Sequence, residues 1–134
     1  MNDTPDDSGQ VIATVLVVDD YRSLCEMIAA MLRPFGFHVL MATNGEEAKA
    51  LASQTARIDL LLTDIEMPEM RGDELAAWFR AAKAGTPVLF MSSQCATPPV
   101  FDPFHFLQKP FRAETLLSKV REVLSHTSAD PAGS

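Results

Sequence analysis

The sequence predicts an α/β protein built on a doubly wound parallel sheet of five strands, and three observations lead there. Five short apolar runs alternate along the chain with stretches whose apolar residues recur at helical spacing, the pattern of strands joined by right-handed helical crossovers. The runs are apolar along most of their length, as strands covered on both faces are. Four of them end on polar or charged residues, and in such sheets ligands gather outside the carboxyl ends of the strands.

Residues 1–10 are polar and acidic, with Pro5 and Gly9, and hold too little apolar surface to order themselves, so they are expected to form a flexible tail or linker. Residues 11–18 are an almost unbroken β-branched run stopping at Asp19-Asp20, which predicts a first strand with two acids at its tip. Ser23-Leu24-Cys25-Glu26 has the form of a capping box; Leu24, Met27, Ile28, Met31 and Leu32 then follow at helical spacing until Pro34 and Gly36 end the helix. Residues 37–42 predict the second strand, and Asn44-Gly45-Glu46-Glu47 opens a helix with Ala48, Leu51 and Ala52 on one face. Residues 58–63 predict the third strand, which delivers Asp64. Beyond Pro68 and Gly72, Leu75, Trp78, Phe79 and Ala82 mark a third helix ending near Gly85, with Trp78 at core spacing.

Residues 87–91 predict a fourth strand delivering Ser92, and residues 104–108 a fifth delivering Lys109. Between them Pro98-Pro99 and Asp102-Pro103 strip helix donors and clash with preceding carbonyls, so residues 93–103 are expected to hold at most a turn or so of helix. Leu116, Leu117, Val120, Val123 and Leu124 line a last helix from 113 to about 126, followed by a flexible small-residue tail, 127–134. The ordered domain is expected to span 11–126.

A chain of 134 residues can bury one core and is short for two. Its 47% hydrophobic and 22% charged residues argue against disorder and against membrane insertion. No apolar run approaches the ~18 residues that span a bilayer, and the first residues lack the basic stretch of a signal peptide, so a cytoplasmic chain without membrane contact is expected. The balance of 11 basic and 18 acidic residues, formally −7, opposes direct nucleic-acid binding. Cys25 and Cys95 form no CxxC pair, and His38, His105 and His126 are scattered, so disulfide and zinc readings are poor.

The chemistry lies in the strand ends. With strand order 2-1-3-4-5, strands one and three are neighbours at ~4.8 Å, and Asp19, Asp20 and Asp64 come within reach of one ion. Clustered oxygen ligands without thiolate or imidazole suit Mg²⁺, which keeps several waters and commonly bridges to phosphate. A carboxylate beside such an ion can attack phosphorus and form an acyl phosphate, which makes Asp64 the central candidate. Lys109, roughly 10 Å away by sheet geometry, can reach a phosphoryl oxygen, and Ser92 can hydrogen-bond another. Each residue alone has a plainer explanation: a solvated turn for Asp19-Asp20, a strand-end hydroxyl for Ser92, an extended surface lysine for Lys109. Their coincidence on four strand ends is what points to a site.

Val17-Val18-Asp19-Asp20, Leu62-Thr63-Asp64-Ile65-Glu66-Met67-Pro68 with Met70 and Gly72, Pro87-Val88-Leu89-Phe90-Met91-Ser92 and Lys109-Pro110-Phe111 resemble the four motifs of bacterial response-regulator receiver domains, over residues 11 to about 126. The resemblance implies a flavodoxin-like fold of order 2-1-3-4-5, Asp64 as phospho-acceptor, and Mg²⁺ held by Asp19, Asp20, Asp64 and the Glu66 main-chain carbonyl. It further implies Lys109 as the phosphate-binding lysine, Pro110 as a cis proline, Ser92 as switch hydroxyl and Phe106 as switch aromatic. Leu89 to Ser93 and Leu107 to Phe111 are most similar to receivers of hybrid sensor histidine kinases. The partner implied is a histidine kinase or histidine phosphotransfer protein, with a downstream protein target. The chain would then be a signalling domain that catalyses only its own phosphorylation and dephosphorylation, and would switch the surface around residues 93–111. The departure is 93–103, where the family places a full fourth helix.

Other readings stay open at this point. A haloacid-dehalogenase-like phosphatase also uses a strand-end aspartate and Mg²⁺ but needs a second aspartate two residues on, where this chain has Glu66. A nucleotide-binding flavodoxin-like or Rossmann domain would need a glycine-rich loop where Asp19-Asp20-Tyr21-Arg22-Ser23 stands. A receiver fold can also serve as an interaction scaffold without phosphorylation.

Overall fold

The computed structural model describes the backbone of residues 12–93 and 105–133, with side chains as far as 125 at the carboxyl end. The expectations for the tail 1–10 and for the shortened helix between Ser93 and residue 104 lie outside these residues.

Five parallel strands, β1 (Ala13–Val18), β2 (Phe37–Ala42), β3 (Leu60–Asp64), β4 (Val88–Ser92) and β5 (Phe106–Gln108), pair in the order β2-β1-β3-β4-β5. The described helices are α1 (Arg22–Leu32), α2 (Gly45–Gln54), α3 (Gly72–Ala82) and α4 (Ala113–Gly133), with a short 3₁₀ turn, Arg33–Phe35, after α1. The expected doubly wound sheet is the one found. Side chains alternate across a strand, so the sheet divides the core in two. Val15, Val17, Leu60, Leu62, Leu89, Met91 and Leu107 face α1 and α4, meeting Ile28, Leu32, Leu116 and Val120. Leu16, Val18, Leu61, Val88, Phe90 and Phe106 face α2 and α3, meeting Ala48, Ala52, Leu75 and Phe79. Both faces of the central strands are covered, which explains why their sequences are continuously apolar.

The ladder reaches the functional residues themselves. β3 and β4 run one residue beyond the sequence expectation, onto Asp64 and Ser92, because neighbouring strands supply partners there: the Ile65 amide donates to Met91 O at 2.9 Å and the Lys109 amide to Ser92 O at 2.8 Å. Their backbones are held by the sheet and not by a loop.

Two local expectations need correction. The capping box at Ser23 does not form: α1 begins earlier, with Tyr21 as N-cap and no side-chain cap bond. The reason is the acid before it. Asp19 Oδ1 accepts from the Tyr21 amide at 2.9 Å, and the Tyr21 carbonyl accepts from Leu24 and Cys25, so the turn closes two residues ahead of Ser23. At the other end, α4 runs to Gly133, past the expected stop near 126. Small side chains do not end a helix by themselves, and alanines such as Ala129 and Ala132 favour one. The Asn44 cap does form, its side chain accepting from the Glu47 amide at 2.8 Å.

Candidate functional site

The carboxyl edge of the sheet gathers the residues that the strand ends deliver. Asp19 stands one residue past β1, fully buried. Its amide donates to Ala42 O at 3.2 Å, and its Oδ1 is held by the Tyr21 amide, so backbone groups fix one side of the carboxylate. Asp64, at the last position of β3, is 3% exposed. One oxygen from each of Asp19, half-buried Asp20 and Asp64 lies within 4.8 Å of the others. Three acids separated by up to 45 positions thus share one pocket, as the strand order requires.

Lys109 enters from the end of β5. Its Nζ donates to Asp19 Oδ2 at 2.8 Å and lies 3.1 Å from Asp64 Oδ1. Its bond is aligned on Asp19, and Asp64 Oδ1 is, among the described residues, a buried side-chain oxygen with no hydrogen-bond partner. Burial pushes the Asp64 carboxyl up to about 6; the Lys109 charge opposes this, and the charges of Asp19 and Glu66 add to it. For Lys109, burial acts to lower the ammonium's pKa, but the hydrogen bond and charge of Asp19 together with Asp64 outweigh it and the value rises. One ammonium does not neutralise three carboxylates. An all-oxygen donor set, excess negative charge and a buried Asp64 oxygen that has an ion pair but no hydrogen bond among the described residues fit a hard divalent cation such as Mg²⁺.

Gly72 explains how the loop after β3 returns so closely. Its amide donates to Ile65 O at 2.9 Å, and a Cβ on it would overlap the Asp64 carbonyl, a backbone group that cannot rotate away. Only glycine lets α3 start against the strand that carries Asp64.

Ser92 is fully buried at the end of β4. The sequence expectation aims its hydroxyl at phosphate; here it meets both Glu66 carboxylate oxygens, at 3.0 Å and 2.9 Å. That role of the Glu66 side chain is the part of the site that sequence reasoning missed, having assigned Glu66 only its main-chain carbonyl. The available signal was an acid two residues beyond Asp64, facing a hydroxyl one strand away. Phe106 is 6% exposed and packs in the α2–α3 half of the core, opposite Phe90 in the register. The Lys109–Pro110 peptide is cis. Cys25 is buried within α1, its Sγ 3.5 Å from Asp19 O, and burial first and the Asp19 charge second push its thiol up to about 11, which leaves it unreactive. Among the described residues no helix is long and apolar enough to cross a membrane.

Comparison with known proteins follows the same motifs. The family model described as the response regulator receiver domain matches residues 15–121. A response regulator receiver protein of Anaeromyxobacter sp. strain Fw109-5 is 43% identical over 81 residues, 60% of this chain and 34% of that protein. The DNA-binding response regulator MtrA of Mycolicibacterium paratuberculosis is 32% identical over 88% of this chain and 54% of its own length. The chain therefore spans about a third to a half of these relatives, and the DNA binding in the name of MtrA is a property of that longer protein. Among solved structures, the chemotaxis response regulator CheY4 of Vibrio cholerae matches with a TM-score of 0.75 and 33% identity, over 84% of this chain and 99% of that one. The receiver domain of the hybrid histidine kinase CckA matches with a TM-score of 0.70 and 33% identity, over 83% and 98%. Strand order, acidic pocket and matched residues agree, and the chain belongs to the response regulator receiver domain family.

Proposed function

We propose that this chain accepts a phosphoryl group on Asp64 from a histidine kinase or a histidine phosphotransfer protein, in the cytoplasm, and passes the change to a protein target through the surface around residues 93–111. The observation that carries the reading is Asp64 Oδ1: buried, without a hydrogen-bond partner among the described residues, and 3.1 Å from the one ammonium of the pocket. An oxygen so placed is a nucleophile whose approach side has been prepared for negative charge.

Asp64 supplies an oxygen lone pair to phosphorus. The bond from phosphorus to the donor's imidazole nitrogen breaks, its electron pair leaves with the ring, and an acyl phosphate forms. Lys109 pairs with a phosphoryl oxygen, leaving its present position between Asp19 and Asp64. Asp19, Asp20 and Asp64, with the Glu66 main-chain carbonyl, would hold Mg²⁺, which when bound offsets charge on the phosphoryl oxygens and orients them. The added ~1.5 to 2 negative charges bias the neighbouring surface, with Ser92 and Phe106 as the responding side chains.

A haloacid-dehalogenase-like phosphatase finds less support, since Glu66, in the place of its second aspartate, directs its carboxylate to Ser92. Incubation of the full chain with labelled acetyl phosphate and Mg²⁺ tests the assignment. Wild type should take up label and Asp64→Asn should not; label retained on the variant removes Asp64 as acceptor.

A further inference from the structure

The Ser92 hydroxyl is already engaged. It lies at hydrogen-bond distance from both carboxylate oxygens of Glu66, in a fully buried position one strand from Asp64. A hydroxyl has a single proton to donate. While that proton is given to Glu66, it is not available to an oxygen carried on Asp64. Glu66 leaves β3 just past the rung between Ile65 N and Met91 O, so acceptor, hydroxyl and carboxylate are tied to the same strand pair. Glu66 is itself only half-buried, and its carboxylate can turn to water if the hydroxyl is withdrawn.

Building on the phospho-acceptor reading above, we propose that Glu66 is a positioning residue for Ser92: its carboxylate latches the hydroxyl in the resting chain, and a phosphoryl group on Asp64 must take the hydroxyl from it. Both arrangements give the hydroxyl a charged acceptor, so they differ by the exchange of one charge-assisted hydrogen bond. Such an exchange is a two-state element with differential contacts to the phosphoryl group, and the strength of the latch sets how readily the chain switches.

The test is a titration of the full chain with beryllofluoride in the presence of Mg²⁺, followed by backbone amide NMR, for wild type, Glu66→Ala, Ser92→Ala and the double variant. Removing the latch should tighten beryllofluoride binding about tenfold, or ~1.4 kcal/mol. In the Ser92→Ala background the same substitution should change affinity by less than about twofold, because no hydroxyl remains to be released. Unchanged or weakened binding by Glu66→Ala overturns the latch, and so does a gain that persists without Ser92, which would assign the effect to charge alone. Wild type that takes no beryllofluoride at all overturns the phospho-acceptor reading and the latch with it; wild type that binds beside an unaltered Glu66→Ala overturns only the latch.

Discussion

Asp64 carries its charge at 3% exposure, with two other carboxylates near it and one ammonium 3.1 Å away. Burial raises its pKa from 3.8 to about 6, so the folded chain holds that proton more tightly than the unfolded one. The stability this contributes is complete below about 4 and is lost as pH rises through about 6. Asp64→Asn removes the titration. Its stability advantage over wild type should therefore grow between those values and level off above, reaching roughly 1 to 3 kcal/mol in urea unfolding of metal-free protein at a series of pH values. A flat difference across that range would mean the carboxyl is not perturbed. Lys109 has the opposite sign of consequence. Truncating it to Ala leaves the fully buried Asp19 without its cation, and unfolding at pH 7 should show a loss of about 3 kcal/mol. Of the residue-scale features, the three aspartates and the lysine were legible because strand ends are legible. The bond from Ser92 to Glu66 was not, since which way a half-buried glutamate turns depends on neighbours brought by other strands.

At the scale of elements, each strand or helix begins where its own chemistry and its neighbours' agree. Asn44 caps α2 by a side-chain bond that the sequence announces, and Asn44→Ala should cost ~1 kcal/mol in thermal or urea unfolding while leaving phosphorylation intact. α1 shows the contrary case, where Asp19, fixed by the pocket, captures the Tyr21 amide and moves the start of the helix ahead of the apparent box at Ser23. α3 is tied to the site through Gly72. A methyl there meets the Asp64 backbone and cannot be relieved by a side-chain rotation, so Gly72→Ala should destabilise the chain by about 3 kcal/mol and also slow uptake of label from acetyl phosphate. Stability lost with uptake unchanged would show that the loop relaxes without moving Asp64.

For the molecule as a whole, the pocket is a concentration of like charge that the fold holds together at a cost. A cation that binds the native arrangement and not the unfolded chain must stabilise it, by about 2.7 kcal/mol at one hundred times its dissociation constant. Calorimetry should show a Tm rising with Mg²⁺ and returning on chelation, with the rise much reduced in Asp20→Asn, whose half-buried side chain can be neutralised without emptying the core. An equal rise in that variant would place the ion elsewhere.

The sequence by itself determined the class of fold, the order of elements and the identity of the charged residues at the strand ends. Apolar periodicity and abrupt polar stops are local signals, and crossover handedness leaves few ways to assemble them. The tertiary structure alone decided that Lys109 hydrogen-bonds Asp19 while pairing with Asp64 by charge, and that Ser92 is given to Glu66. Those are choices among several partners lying within a few ångströms of one another. They are settled by distances and angles between groups far apart along the chain, and no single stretch of sequence contains them.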